Sequence, residues 1–131
     1  MRNVPEERVT AWLDRQAEGS IWTTSVTVLE IETWLQILPL SEKRSSLSLG
    51  FEKLLDRIDH RVAAFDEASA RMAVQLMGSR KEKGIVMEMR DTMIAGIVLA
   101  NHATLATRNV AHFSDIAATV VDPWTDREQH A

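Results

Sequence analysis

The chain has 131 residues, 45% apolar and 26% charged, with a formal charge of −4, the profile of a globular domain able to bury one core. It holds no cysteine, which excludes disulfides, thiolate zinc sites and a cysteine nucleophile and suits a cytoplasmic setting. The acidic balance excludes a general basic coat, so any nucleic acid must meet a local basic patch or a metal ion.

No apolar run approaches the roughly 18 residues of a membrane span, and MRNVPEERVT has no signal-peptide core. No internal repeat or low-complexity linker interrupts residues 1–131, which read as a single domain. Pro5 and the acids after it predict a first helix with Val9, Trp12 and Leu13 on one face, ended by Gly19. IWTTSVTV has the β-branched, aromatic character of a strand. A second helix is expected over Val28 to Leu38, stopped near Pro39, and an amphipathic one over 41–59 that aligns Leu47, Phe51, Leu54, Leu55 and Ile58.

Arg61 to Phe65 is a short strand candidate, and Asp66 is placed to cap an Ala/Met-rich helix reaching about Gly78. SRKEKG then reads as a basic turn before a helix headed by RDTMIAG. TLATRN and ATVVDPW predict two short strands around a helical turn. Helices alternating with short apolar strands imply an α/β fold with a mainly parallel sheet.

Two acids stand out of place. On a helical wheel Asp91 projects between Ala95 and Val98, with Ile94 on the same face, and Glu30 falls between Trp34 and Ile37 on an apolar arc. Each has an ordinary explanation, since Thr27-x-x-Glu30 matches a capping box and a first-turn Asp91 favours the helix dipole by about 0.3–1 kcal/mol. Two carboxylates about 4 Å apart repel by roughly 4 kcal/mol at an effective dielectric near 20, so a convergent pair would call for a cation. In parallel sheets such helix starts gather at the carboxyl edge of the strands, where ligands bind.

LATRNVAHF brings Thr107, Arg108 and Asn109 out at a strand end. Asn109 can supply a neutral oxygen or serve as a turn residue, and Arg108 can hold a phosphate or pair with an acid. Arg80, Lys81, Lys83 and Arg90 are candidates for a basic rim on RNA, the alternative being a solvated loop. His60, His102, His112 and His130 have no ligand spacing and read as structural or exposed. Met72, Met77, Met87, Met89 and Met93 read as core fillers, and Trp12, Trp22, Trp34 and Trp124 as core or interface residues.

The order of VTVLEIETW, RDTMIAG, LATRNVAHF and VVDPW resembles the PIN-domain ribonucleases, specifically VapC-like toxins of toxin–antitoxin pairs. PEERVTAWLD and Pro123-Trp124 are similar to one subgroup of them. The resemblance implies a three-layer α/β fold, a site holding Mg²⁺ or Mn²⁺, metal-dependent RNA cleavage, a cognate antitoxin and a homodimer, with no membrane partner. By matching position, Glu30 and Asp91 are the implied metal ligands and, with Asn109, the implied catalytic residues; Asp115 lies nearby without a defined role. Arg108 joins the four basic residues above as a candidate RNA contact.

One departure bears on activity. Family members begin with an apolar strand ending in Asp-Thr-Asn or a close variant, whose aspartate is the first metal ligand. This sequence contains no such strand; either its start is set too far downstream or the domain is N-terminally truncated, and the chain as written is expected to cleave poorly. The alternative to a ribonuclease is a degenerate PIN-like domain that binds an antitoxin or dimerises, with part of its groove in the 41–59 segment.

Overall fold

A computed structural model describes residues 4–86, 88–125 and 127–129; Met87 and His130 are outside the described residues. Its contacts divide the chain into two compact units: Ala17–Ala64, and the N-terminal segment through Gln16 together with the chain from Phe65 onward.

The smaller unit pairs β1 (Thr23–Thr24) with β2 (Val62–Ala63) in parallel, and carries α2 (Ser25–Ile37) and α3 (Glu42–Arg57) between them. The expected strand over IWTTSVTV is cut to two residues because Thr24 caps a helix there. Its hydroxyl accepts from the Thr27 N–H at 3.0 Å, and its backbone stays extended while Ser25 turns helical. Burial then overrides the β propensity of SVTV: Val28 and Ile31 take helical spacing and pack on Phe51, Leu55 and Ile58 of the α3 segment. Those three residues are the buried part of the stripe predicted over 41–59, whereas Leu47 and Leu54 are exposed. Arg61 closes the unit by donating Nε–H to the Ile21 carbonyl at 3.0 Å.

The larger unit contains α1 (Val4–Asp14), α4 (Glu67–Lys83), α5 (Met89–Ala100), β3 (Leu105–Ala106), a 3-10 turn (Val110–Phe113), β4 (Val120–Asp122) and β5 (Arg127–Gln129). β3 and β4 are parallel, as predicted from their sequences, and β5 adds an antiparallel strand that the sequence reading did not contain. Val9, Trp12 and Leu13 form the half-buried face of α1, and Gly19, at φ +81°, shapes the turn after it. Asp66 caps α4 as predicted, accepting from the Ser69 N–H at 2.9 Å.

α4 does not stop at Gly78. Its buried stripe runs on through Ser69, Ala73, Leu76 and Arg80, and Gly84 ends it in the left-handed conformation at φ +69°. The Ile85 N–H reaches the Arg80 carbonyl at 2.9 Å and the Gly84 N–H reaches Lys81 at 3.2 Å, a Schellman closure. The supposed basic turn is therefore the last helical turn, where cations also suit the dipole. α5 crosses α4 at backbone distance: a Cβ on Gly96 would collide with the Ser69 carbonyl and stand 3.0 Å from the Ala73 Cβ. Ala95 and Val98, on the predicted stripe, join Leu76, Leu105, Phe113, Ile116 and Val120 in one core. Met77 and Met89 are exposed rather than core fillers, and of the two readings given for the tryptophans, core or interface, Trp22 and Trp34 are not in the core.

Candidate active site

Asp91 lies in the first turn of α5, whose cap is Glu88. Its place among apolar neighbours leaves the side chain 17% exposed, and the partner that answers it is His112, whose Nδ1 sits 3.1 Å from Asp91 Oδ2. His112 belongs to the 3-10 turn that Asn109 heads. No sequence signal joins positions 91 and 112, because the pair exists only through the packing of α5 against that turn. His112, read from sequence as structural or exposed, is the residue that reading missed at this site.

Asp115 acquires a role as well. Arg80 donates Nε–H to Asp115 Oδ2 at 2.7 Å and Nη2–H to Oδ1 at 2.5 Å, and Nη2 also reaches the His112 carbonyl at 3.3 Å. The hydrogen-bonding guanidinium holds the Asp115 carboxyl below its ordinary value, against the opposing effect of burial. Arg80 is 3% exposed. Its candidacy for a basic rim on RNA is therefore corrected: the helix continues past Gly78 and turns this side chain inward. Lys81, Lys83 and Arg90 are exposed.

Asn109 is exposed, and its N–H takes the Thr107 hydroxyl as acceptor at 3.1 Å. Arg108 stacks over the Trp124 ring, 5.6 Å from its centroid, an arrangement worth about 0.5–1 kcal/mol at an exposed site. The Trp124 carbonyl receives Arg8 Nη1–H from α1 at 3.3 Å. Thus the Pro123-Trp124 segment is anchored on both sides.

Glu30 is half-buried in the second turn of α2. The capping-box explanation fails for it, since the cap is Thr24 and the residue three positions on is Thr27. Glu30 therefore does not head its helix as the sequence suggested.

Among the described residues no three His, Asp or Glu side chains are grouped so as to hold a metal ion. In the larger unit Asp91 offers a hard oxygen, while Asp115 is occupied by Arg80. One carboxylate is therefore available at this site, a hard oxygen donor and not an enclosed cage. Among the described residues no helix is long and apolar enough to cross a membrane.

No protein-family model matches the chain. It is 32% identical over 124 residues to the plasmid stability protein StbB of Pseudomonas syringae pv. tomato, covering 94% of the chain and 89% of the relative. Identity to VapC ribonuclease Y4jK of Sinorhizobium fredii is 28%, over 92% of the chain and 86% of the relative. For toxin FitB of Neisseria gonorrhoeae it is 29%, over 96% and 91%. The structure of FitAB bound to an IR36 DNA fragment superimposes with a TM-score of 0.81 at 29% identity, covering 94% of this chain and 87% of that one. The chain belongs to the VapC-like PIN-domain toxin family.

Proposed function

We propose that this protein is the toxin of a toxin–antitoxin pair, a ribonuclease that uses Mg²⁺ or Mn²⁺ to cut RNA. The observation that carries the reading is the part-buried Asp91 carboxylate in the first turn of α5, fixed by His112 in a chain of this family. A cognate antitoxin is the proposed partner and a homodimer the proposed assembly; a toxin named FitB among the relatives and the FitAB complex among the structures support the first.

Asp91 would supply an oxygen ligand; Glu30 is a candidate ligand by the family resemblance alone. A divalent ion there would supply positive charge against the phosphate oxygens and acidify water. Lys81, Lys83, Arg90 and Arg108 are exposed cations suited to neutralising an RNA backbone. Asn109, at the head of the turn bearing His112, is placed to hydrogen-bond substrate or water.

The test is cleavage of RNA by the purified chain with Mg²⁺, with Mn²⁺ and with a chelator, beside Asp91→Asn and Glu30→Gln. Expected is metal-dependent cleavage lost in both variants. Cleavage that survives chelation and both substitutions would sink the reading. The absence of a three-residue ligand group among the described residues favours a second reading, a non-cleaving module that binds an antitoxin. Tight antitoxin binding with no cleavage under any metal would establish it.

A further inference from the structure

We propose that His112 is a positioning residue for the Asp91 carboxylate, and that the buried Arg80–Asp115 pair sets His112 in place. The proposal rests on the ribonuclease reading for its kinetic consequence, though not for the contact itself.

An ionised carboxylate can only accept hydrogen bonds, so the 3.1 Å contact requires the hydrogen to be on His112 Nδ1. That bond engages Asp91 Oδ2 and restrains the carboxylate's rotation, so Oδ1 is the oxygen not used by His112. A carboxylate with one oxygen spoken for presents the other in a fixed direction, which is what an outer partner does for a ligand or catalytic group.

His112 could not do this from a loose turn, because its own side chain is 58% exposed. The turn is held from two sides. On the inner side Phe113 and Ile116 are buried in the core. On the α4 side, Arg80 Nη2 donates to the His112 carbonyl while the same guanidinium grips Asp115, three residues further on. One buried cation therefore fastens both the residue that carries the imidazole and the turn leaving it. The fork geometry of arginine is needed, since a lysine offers no planar set of donors.

The experiment uses the full chain with His112→Ala and His112→Asn, the latter keeping an N–H donor near the Nδ1 position. The ¹³C resonance of the Asp91 carboxyl, recorded without divalent ion, should move in His112→Ala and return toward wild type in His112→Asn. In RNA cleavage, kcat should fall roughly 10- to 100-fold in the alanine variant with KM unchanged, and the asparagine variant should recover most of it. An unmoved Asp91 resonance in His112→Ala would overturn the contact. An unchanged kcat alongside a moved resonance would overturn the positioning role while leaving the ribonuclease reading intact. If the wild type cleaves no RNA, the ribonuclease reading fails, and the resonance alone decides for or against His112.

Discussion

Arg80 and Asp115 lie 35 positions apart in the chain and meet through two N–H···O bonds of 2.7 and 2.5 Å, with the guanidinium 3% exposed. Breaking such a pair strands a charge in a medium that solvates it poorly. Asp115→Asn should cost about 3–5 kcal/mol at neutral pH, read from urea unfolding. The pH dependence has a definite sign. The native Asp115 carboxyl titrates below its ordinary value of 3.8, so the unfolded chain binds the proton more readily. Its stabilisation is thus fully present above about pH 4 and lost as pH falls through the lowered native value. Asp115→Asn should remove that part of the acid limb; an unchanged stability–pH curve below pH 4 would contradict the assignment.

Gly96→Ala tests the α4–α5 crossing. A helical alanine normally gains up to about 1 kcal/mol over glycine. Here its methyl would collide with the Ser69 carbonyl, which is backbone and cannot rotate away. Overpacking of this kind costs about 1–3 kcal/mol, so a net loss is expected in thermal or urea unfolding. A stabilised Gly96→Ala protein would mean that the helices do not approach so closely.

Two further glycines should respond in opposite directions. Gly84 holds φ +69° at the end of α4, so alanine there is strained, by roughly 1–2 kcal/mol. Gly78 is within the helix with nothing inside 4 Å of its missing Cβ, so alanine should stabilise, by up to about 1 kcal/mol. Melting temperatures of the two variants should shift in opposite senses. A fall for Gly78→Ala would show that α4 does stop early.

Metal response is the fourth prediction. Under the proposed function, Mg²⁺ or Mn²⁺ raises the melting temperature by binding the native state alone. Asp91→Asn should weaken that rise. An equal rise in wild type and variant would place the ion elsewhere.

The same segment of α4 shows what could be read from sequence and what could not. Asp66 was legible as a cap because capping is local, and the stripe through Ala95 and Val98 was legible because its period is helical. Arg80 was misplaced by a single local judgement, that Gly78 ends the helix. In fact the spacing from Ser69 through Ala73 and Leu76 carries straight to Arg80, and glycine costs the helix too little to stop it once a buried stripe continues. SVTV was misread for a similar reason, propensity yielding to the Thr24 cap, to the burial of Val26 and to the packing of Val28 against the smaller unit's core. Asp91 was singled out by its position among apolar neighbours, whereas His112 carries no local mark. Only tertiary packing brings it to the carboxylate.

The close approach at Gly96 also has a temporal side. α4 and α5 are joined by a short connection, Gly84 to Glu88, so their contact closes a small loop at little entropic cost. The parallel pairing of β3 with β4 must instead wait for a crossover, and β5 can add only once β4 is placed. The helical hairpin should therefore form ahead of the strands. Gly96→Ala should then act mainly on the folding rate, while truncations in β4 such as Val120→Ala should chiefly hasten unfolding. Stopped-flow refolding and unfolding of the two variants would separate these limbs, and a folding rate untouched by Gly96→Ala would place the crossing late on the pathway.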